Sequence, residues 1–115
     1  MKLLIVDDNP LMRHTIRTIV SRYQDVVEEC SDGSTVVSAY QKFTPDWVLM
    51  DIKMGQMSGI QATMALKAQF PFARVAIVTQ HGDQEFRDAA KAAGAEKYFL
   101  KDNLTSIREN LEETK

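Results

Sequence analysis

The sequence is poor in the residues that would mark a secreted, zinc-bearing or membrane-spanning protein. It holds one cysteine, Cys30, among 115 residues, so no internal disulfide can form and a reducing, cytoplasmic setting is expected. Its two histidines, His14 and His81, stand at no metal-ligand spacing from each other or from Cys30, which argues against zinc. The longest stretch free of Asp, Glu, Lys and Arg runs from Met54 to Leu66 and contains Gln56, Ser58, Gln61 and Thr63, too short and too polar to cross a membrane. The opening Leu3-Leu4-Ile5-Val6 runs straight into Asp7 and Asp8, unlike a signal peptide. A basic excess is also missing. Fourteen Lys and Arg against sixteen Asp and Glu give a net charge of -2, which argues against direct nucleic-acid binding by this segment. With 44% hydrophobic residues and no repeat, low-complexity tract or linker, a single domain over residues 1–115 is expected.

What is present is alternation. Leu3–Val6, Trp47–Met50, Val75–Val78 and Tyr98–Leu100 are short apolar runs without polar alternation, as in strands of a parallel sheet buried on both faces. Val26 to Cys30 carries Glu28 and Glu29 and reads as a wetter edge strand. Helix-period segments lie between them. Asn9 caps the first, with Pro10 in its opening turn and Leu11, Ile16, Ile19, Val20 and Tyr23 expected inward. The second puts Val36, Val37 and Tyr40 inward, and the third runs from near Ser58 to Pro71. The fourth lies between an Asp83 cap and a Gly94 stop, with Phe86, Ala89, Ala90 and Ala93 within it. The last aligns Leu104, Ile107 and Leu111. Five strand–helix units predict an α/β domain with a parallel sheet covered on both faces.

The chemistry follows the strands. Val6 is followed by Asp7 and Asp8, Met50 by Asp51, Val78 by Thr79, and Leu100 by Lys101. Open parallel sheets bind ligands beyond the carboxyl ends of their strands. Three carboxylates there repel one another: a like pair at about 4 Å costs ~1 kcal/mol in water and ~4 at an effective dielectric of 20. Lys101 offsets one charge, and the remaining excess with only hard oxygen ligands selects Mg²⁺, with Mn²⁺ as the alternative. Thr79 and Lys101 suit phosphate oxygens, and a carboxylate beside the metal is a nucleophile toward phosphorus. The pattern reads as phosphoryl transfer to an aspartate. His14 and Cys30 read as a solvated residue and a small core residue, and the six methionines as core filler.

Four stretches, Leu4-Ile5-Val6-Asp7-Asp8-Asn9-Pro10, Leu49-Met50-Asp51-Ile52-Lys53-Met54, Val78-Thr79 and Gly94-Ala95-Glu96-Lys97-Tyr98-Phe99-Leu100-Lys101, give the chain a close resemblance to the receiver domain of two-component response regulators. The resemblance implies a flavodoxin-like doubly wound sheet of order 2-1-3-4-5 with five helices. It implies that Asp51 is the phosphoacceptor, charged by a sensor histidine kinase or a phosphotransfer protein. Mg²⁺ would be held by the Asp8 and Asp51 side chains, by the Lys53 backbone carbonyl and, through water, by Asp7. Lys101 would hold a phosphoryl oxygen, and Thr79 and Tyr98 would be the switch pair. The implied partners are a downstream output protein or domain and a phosphorylation-linked second copy, with no membrane. Such a domain is a switch that catalyses only its own phosphorylation and dephosphorylation. Gly55, Gln80 and Asp102 stand where the family commonly has Pro, a small residue and Pro. Lys101-Asp102, with the opening Asp8-Asn9-Pro10-Leu11-Met12-Arg13, leans toward the branch with helix-turn-helix outputs. Beyond the fifth helix, near Glu113, a DNA-binding domain of about 60 residues has no room, so a stand-alone receiver or the front of a longer regulator is expected.

Two competing readings predict different chemistry. A haloacid-dehalogenase-type phosphohydrolase also forms an aspartyl-phosphate, but it uses an Asp-x-Asp nucleophile that Asp7-Asp8-Asn9 lacks, and it needs a substrate cap. A degenerate receiver acting as a binding scaffold would have no need of the Asp8, Asp51, Thr79 and Lys101 set.

Overall fold

The computed structural model describes residues 1–112. Its elements are β1 (Lys2–Val6), α1 (Pro10–Val20), β2 (Val26–Cys30), a 3₁₀ turn (Gly33–Thr35), α2 (Val36–Phe43), β3 (Trp47–Met50), α3 (Gly59–Gln69), β4 (Val75–Thr79), α4 (Gln84–Ala93), β5 (Lys97–Leu100), a 3₁₀ segment (Lys101–Ser106) and α5 (Ile107–Glu112). The five strands form one sheet in the order β2-β1-β3-β4-β5, parallel throughout.

That order, combined with right-handed crossovers, dictates the layers. The β1–α1–β2 step runs one way along the sheet and the next three steps run back. So α1 covers one face while α2, α3 and α4 cover the other, and α5 returns to the side of α1. The strand residues divide accordingly. Leu4, Val6, Val48, Met50, Val75 and Ile77 pack with Val36, Ala62, Leu66 and Ala90. Leu3, Ile5, Trp47, Leu49, Ala76 and Val78 pack with Ile16, Val20, Leu104, Ile107 and Leu111. Burial of both sheet faces explains the unbroken apolar runs of β1, β3 and β4.

Local signals fix several element ends. The Asn9 side chain accepts from the N–H groups of Leu11 and Met12, and Ser58 and Gln61 form a reciprocal capping box at α3. Gly94 ends α4 at φ 110°, a backbone region that suits glycine. Asp83 occupies the α4 cap position, but its side chain makes no capping hydrogen bond.

Three sequence expectations need correction. In α1 the inward stripe is Met12, Ile16 and Val20, at i, i+4 and i+8, whereas Leu11 and Ile19 are exposed and Tyr23 lies past the helix end, fully in solvent. The helix is apolar on two sides, and packing uses only one of them. β5 is half-buried along its length, not buried on both faces, because it is the second sheet edge. Met64 is exposed on α3, so not every methionine fills the core. Cys30 is buried and free, and burial raises its thiol pKa, which disfavours the thiolate.

Far from the carboxyl edge, Asp25 ties the two ends of the chain together. Its side chain, 1% exposed, accepts from the Met1 amino group at 2.8 Å, the Arg22 N–H at 2.7 Å and the Arg108 guanidinium. Burial alone would raise the carboxyl pKa, but Arg108, the terminal amine and the Arg22 N–H outweigh it and hold it at about 2, below the ordinary 3.8. A depressed folded-state pKa gives stability that is complete above 3.8 and lost as the pH falls toward 2. Urea unfolding of the wild type should therefore lose about 1–2 kcal/mol across that window, after allowance for screening. Asp25→Asn should start less stable and show a flatter profile there. Parallel profiles for the two proteins would remove Asp25 from the acid response.

Candidate functional site

Strand register builds the site. Val6 pairs with Cys30 on one side and with Met50 on the other, so Asp7 and Asp51 leave adjacent strands at one level. The ladder continues one step through the Asp7 N–H to the Cys30 carbonyl and the Asp51 N–H to the Val6 carbonyl. Thr79 pairs with Leu100, which puts Lys101 next to it at the same edge. Strand order reverses between β1 and β3, and the cleft opens at this point.

The carboxylate oxygens of Asp7, Asp8 and Asp51 lie within 4.8 Å of one another. Asp7 and Asp51 are buried and Asp8 is exposed. The Lys101 ammonium bridges two of them, 2.8 Å from Asp7 Oδ2 and 3.0 Å from Asp51 Oδ2. Asp51 Oδ1 accepts the Ile52 N–H at 2.8 Å and Asp7 Oδ1 the Asn9 N–H at 2.9 Å. Asp7 Oδ2, fully enclosed, has no well-aligned hydrogen-bond donor despite its ion pair. Burial raises the Asp51 pKa, the Asp7 charge adds to it, and Lys101 pulls the other way. The Lys101 pKa is lowered by burial but raised by more through its bonds to Asp7 and Asp51, so it stays cationic. Three carboxylates around a single ammonium leave excess negative charge in a partly dry cleft, and the open oxygens are hard donors. This donor set fits Mg²⁺.

Thr79 is fully buried, and its Oγ1 accepts the His81 N–H at 3.3 Å. Tyr98, on β5, donates its hydroxyl to the His81 carbonyl at 2.5 Å. Thr79 and Tyr98 therefore hold the N–H and the C=O of one residue, His81, in the two peptide units that flank its Cα. Lys53 and Gln80 are exposed, and the Lys53 ammonium stands 5.6 Å from the centre of the Phe86 ring.

Some site residues escaped sequence reasoning. A Cβ on Gly59 would fall 1.8 Å from the Asp51 carbonyl oxygen, so α3 packs directly on the Asp51 backbone. The usable signal was a glycine just inside a capped helix, where alanine is intrinsically better. Arg13 Nη1 donates to the Asp7 carbonyl at 2.6 Å while its Nε pairs with Glu29 at 2.8 Å. Arg87 places its guanidinium 4.6 Å from the centre of the Tyr98 ring, and its Nε donates to the Gly82 carbonyl. Nothing in the sequence flags either arginine.

An open parallel sheet with carboxylates, a hydroxyl and an ammonium at its switch point is an α/β arrangement whose chemistry suits a divalent metal and a phosphoryl group. The response regulator receiver domain profile matches residues 3–112, and the chain belongs to that family. It is 38% identical over 104 residues to the transcriptional regulatory protein YhcZ of Bacillus subtilis, covering 89% of this chain and 49% of that one. It is 34% identical over 100 residues to the chemotaxis protein CheY of Halobacterium salinarum, covering 87% and 83%. The crystal structure of a LuxR-family two-component response regulator from Aurantimonas superposes with a TM-score of 0.91 at 30% identity, covering 97% of this chain and 82% of that one. The chemotaxis protein CheY4 of Vibrio cholerae superposes at 0.88 with 25% identity, covering 97% and 96%. The chain spans about half the length of YhcZ and of the Brevibacillus DegU that it also matches. No helix among the described residues is long and apolar enough to cross a membrane.

Proposed function

We propose that Asp51 accepts a phosphoryl group from a phosphohistidine of a sensor histidine kinase or phosphotransfer protein, and that the modified domain changes the surface it offers to an output partner. The observation that carries this reading is the setting of Asp51: it is buried beside Asp7 and Asp8, with its Oδ2 3.0 Å from the Lys101 ammonium. A carboxylate oxygen of Asp51 attacks phosphorus as the phosphorus–nitrogen bond breaks, and the imidazole leaves with that electron pair. Lys101 is already cationic there and neutralises charge on the transferred group without rearranging.

Asp8 and Asp51 would hold Mg²⁺ through their side chains, Lys53 through its carbonyl and Asp7 through water. Asp7 is committed to Asn9 and Lys101, which suits an outer role. Bound Mg²⁺ supplies positive charge to phosphoryl oxygens. The switch would be Thr79 turning toward the phosphoryl group, with Tyr98 reading the change through the backbone of His81, whose N–H and C=O the two side chains hold. Cytoplasmic kinases and an output domain or protein are the partners this implies, and a phosphorylation-linked homodimer is one form the output would take.

Incubation with acetyl phosphate and Mg²⁺, followed by intact-mass measurement, tests the reading. One hydroxylamine-labile phosphoryl adduct supports it. Continuous turnover would point to a phosphohydrolase and no adduct to a scaffold. Mg²⁺ should also raise the melting temperature, since it binds the folded cluster and not dispersed carboxylates. At 100-fold excess over its dissociation constant the gain is about 2.7 kcal/mol. Asp8→Ala should lose most of that gain, and equal stabilisation of both proteins would exclude Asp8 as a ligand.

A further inference from the structure

The side chain of Phe86 has two polar neighbours from different loops. Phe86 lies in the first turn of α4, half-buried, with its ring packed on the core that covers the α2–α4 face. The Lys53 ammonium, from the loop after β3, stands 5.6 Å from the ring centre. The His81 imidazole, from the loop after β4, lies 5.3 Å from it at an interplanar angle of 42°. Both contacts fall in the range where a π-face attracts a cation or a tilted ring. β3 and β4 are neighbours in the sheet. Lys53 is two residues past Asp51 and His81 two past Thr79, so these loops border the opening above the acceptor. Neither side chain needs Phe86 to stay soluble, since Lys53 is exposed and His81 half-exposed. Left untethered, a long exposed lysine would sample many rotamers.

We propose that Phe86 is a positioning residue that sets phosphoryl lifetime by holding Lys53 and His81 across the mouth of the Asp51 site. The inference rests on Asp51 being the phosphoacceptor. Loss of the group is hydrolysis. A water oxygen forms a bond to phosphorus, the bond from phosphorus to the Asp51 oxygen breaks, and the carboxylate leaves with that electron pair. The water's protons pass to the phosphate and solvent. The water must arrive opposite the breaking bond, past the loops after β3 and β4 that carry Lys53 and His81. Phe86 touches neither Asp51 nor the phosphoryl group, and it acts by restricting these two side chains.

The test uses the full chain, charged with acetyl phosphate and Mg²⁺ and then freed of donor, with inorganic phosphate release followed at fixed pH and Mg²⁺. Phe86→Leu keeps apolar bulk for the core and removes the π-face. Its release should be faster on the order of 2- to 5-fold, the factor that a surface cation–π contact is worth. Phe86→Tyr keeps the ring and should restore the wild-type rate. Lys53→Met keeps the stem, removes the cation and leaves α4 untouched, so it should also release faster and covers the case in which Phe86→Leu does not fold. In a Lys53→Met, His81→Ala background, Phe86→Leu should add no further acceleration. A wild-type rate in both Phe86→Leu and Lys53→Met overturns the proposal, as does undiminished acceleration by Phe86→Leu in the doubly substituted background. A wild type that takes up no phosphoryl group overturns the phosphoacceptor reading as well.

Discussion

Asp51→Asn is expected to take up no phosphoryl group from acetyl phosphate or from a kinase, while keeping the wild-type circular dichroism. An amide matches the carboxylate in shape but has no charged oxygen to attack phosphorus. The structural cost is small. The wild-type side chain accepts from the Ile52 N–H through Oδ1 and from Lys101 through Oδ2, and a single amide oxygen can serve only one of them. Against this, the substitution removes a buried charge whose pKa is raised first by burial and further by Asp7. Lys101 keeps its 2.8 Å partner in Asp7. The two effects oppose each other, so without metal the variant should melt at no lower temperature than the wild type. A phosphoryl adduct on Asp51→Asn would move the acceptor to another residue.

Gly59→Ala should be the most damaging single-methyl change in the domain. Helix propensity alone favours alanine over glycine, by up to ~1 kcal/mol, and a propensity scan of α3 would suggest a stabilised protein. The packing says the opposite. The added carbon would lie 1.8 Å from the Asp51 carbonyl oxygen, 2.8 Å from its carbonyl carbon and 3.0 Å from Met50 Cγ. The Gly59 N–H also donates to the Ile52 carbonyl at 2.7 Å, so α3 cannot back away without breaking the closure of the loop after β3. Overpacking of this kind costs about 1–3 kcal/mol, and the urea midpoint should fall accordingly. Charging by acetyl phosphate should fall further, because a shift of about 1 Å at a reacting group can cost ~100-fold in rate. A variant as stable as the wild type and equally fast in charging would show that the backbones do not meet as described.

The strands and the site were legible in the sequence because each rests on local chemistry. Apolar runs mark burial on both faces, and Asp7, Asp51, Thr79 and Lys101 end those runs where a parallel sheet puts its ligands. The Asn9 cap could be read for the same reason, since the groups it satisfies lie within three residues. Legibility ended where a choice depended on distant partners. In α1, Leu11 and Ile19 are as apolar as Ile16 and Val20, and only the placement of β1 and α5 decides which pair is covered. The half-buried state of β5 follows from its being last in the sheet, which its composition does not record. The Asp25–Arg108 pair spans 83 residues, and the Phe86 contacts join α4 to two separate loops. No sequence period encodes either.

The last helix completes a surface begun by the first strand. Ile107 and Leu111 of α5 lie against a cluster that includes Leu3, Ile5, Trp47 and Leu49. On the ribosome these partners emerge in the opposite order: β1 and β3 appear early, and the residues that finish their cover come last. A nascent chain that stops short of Ile107 leaves this apolar slab partly bare and leaves Asp25 without its guanidinium. Such surfaces are where chaperones bind and where incomplete chains aggregate. Full cover of this slab therefore comes only with α5, although every strand of the sheet is already available by Leu100.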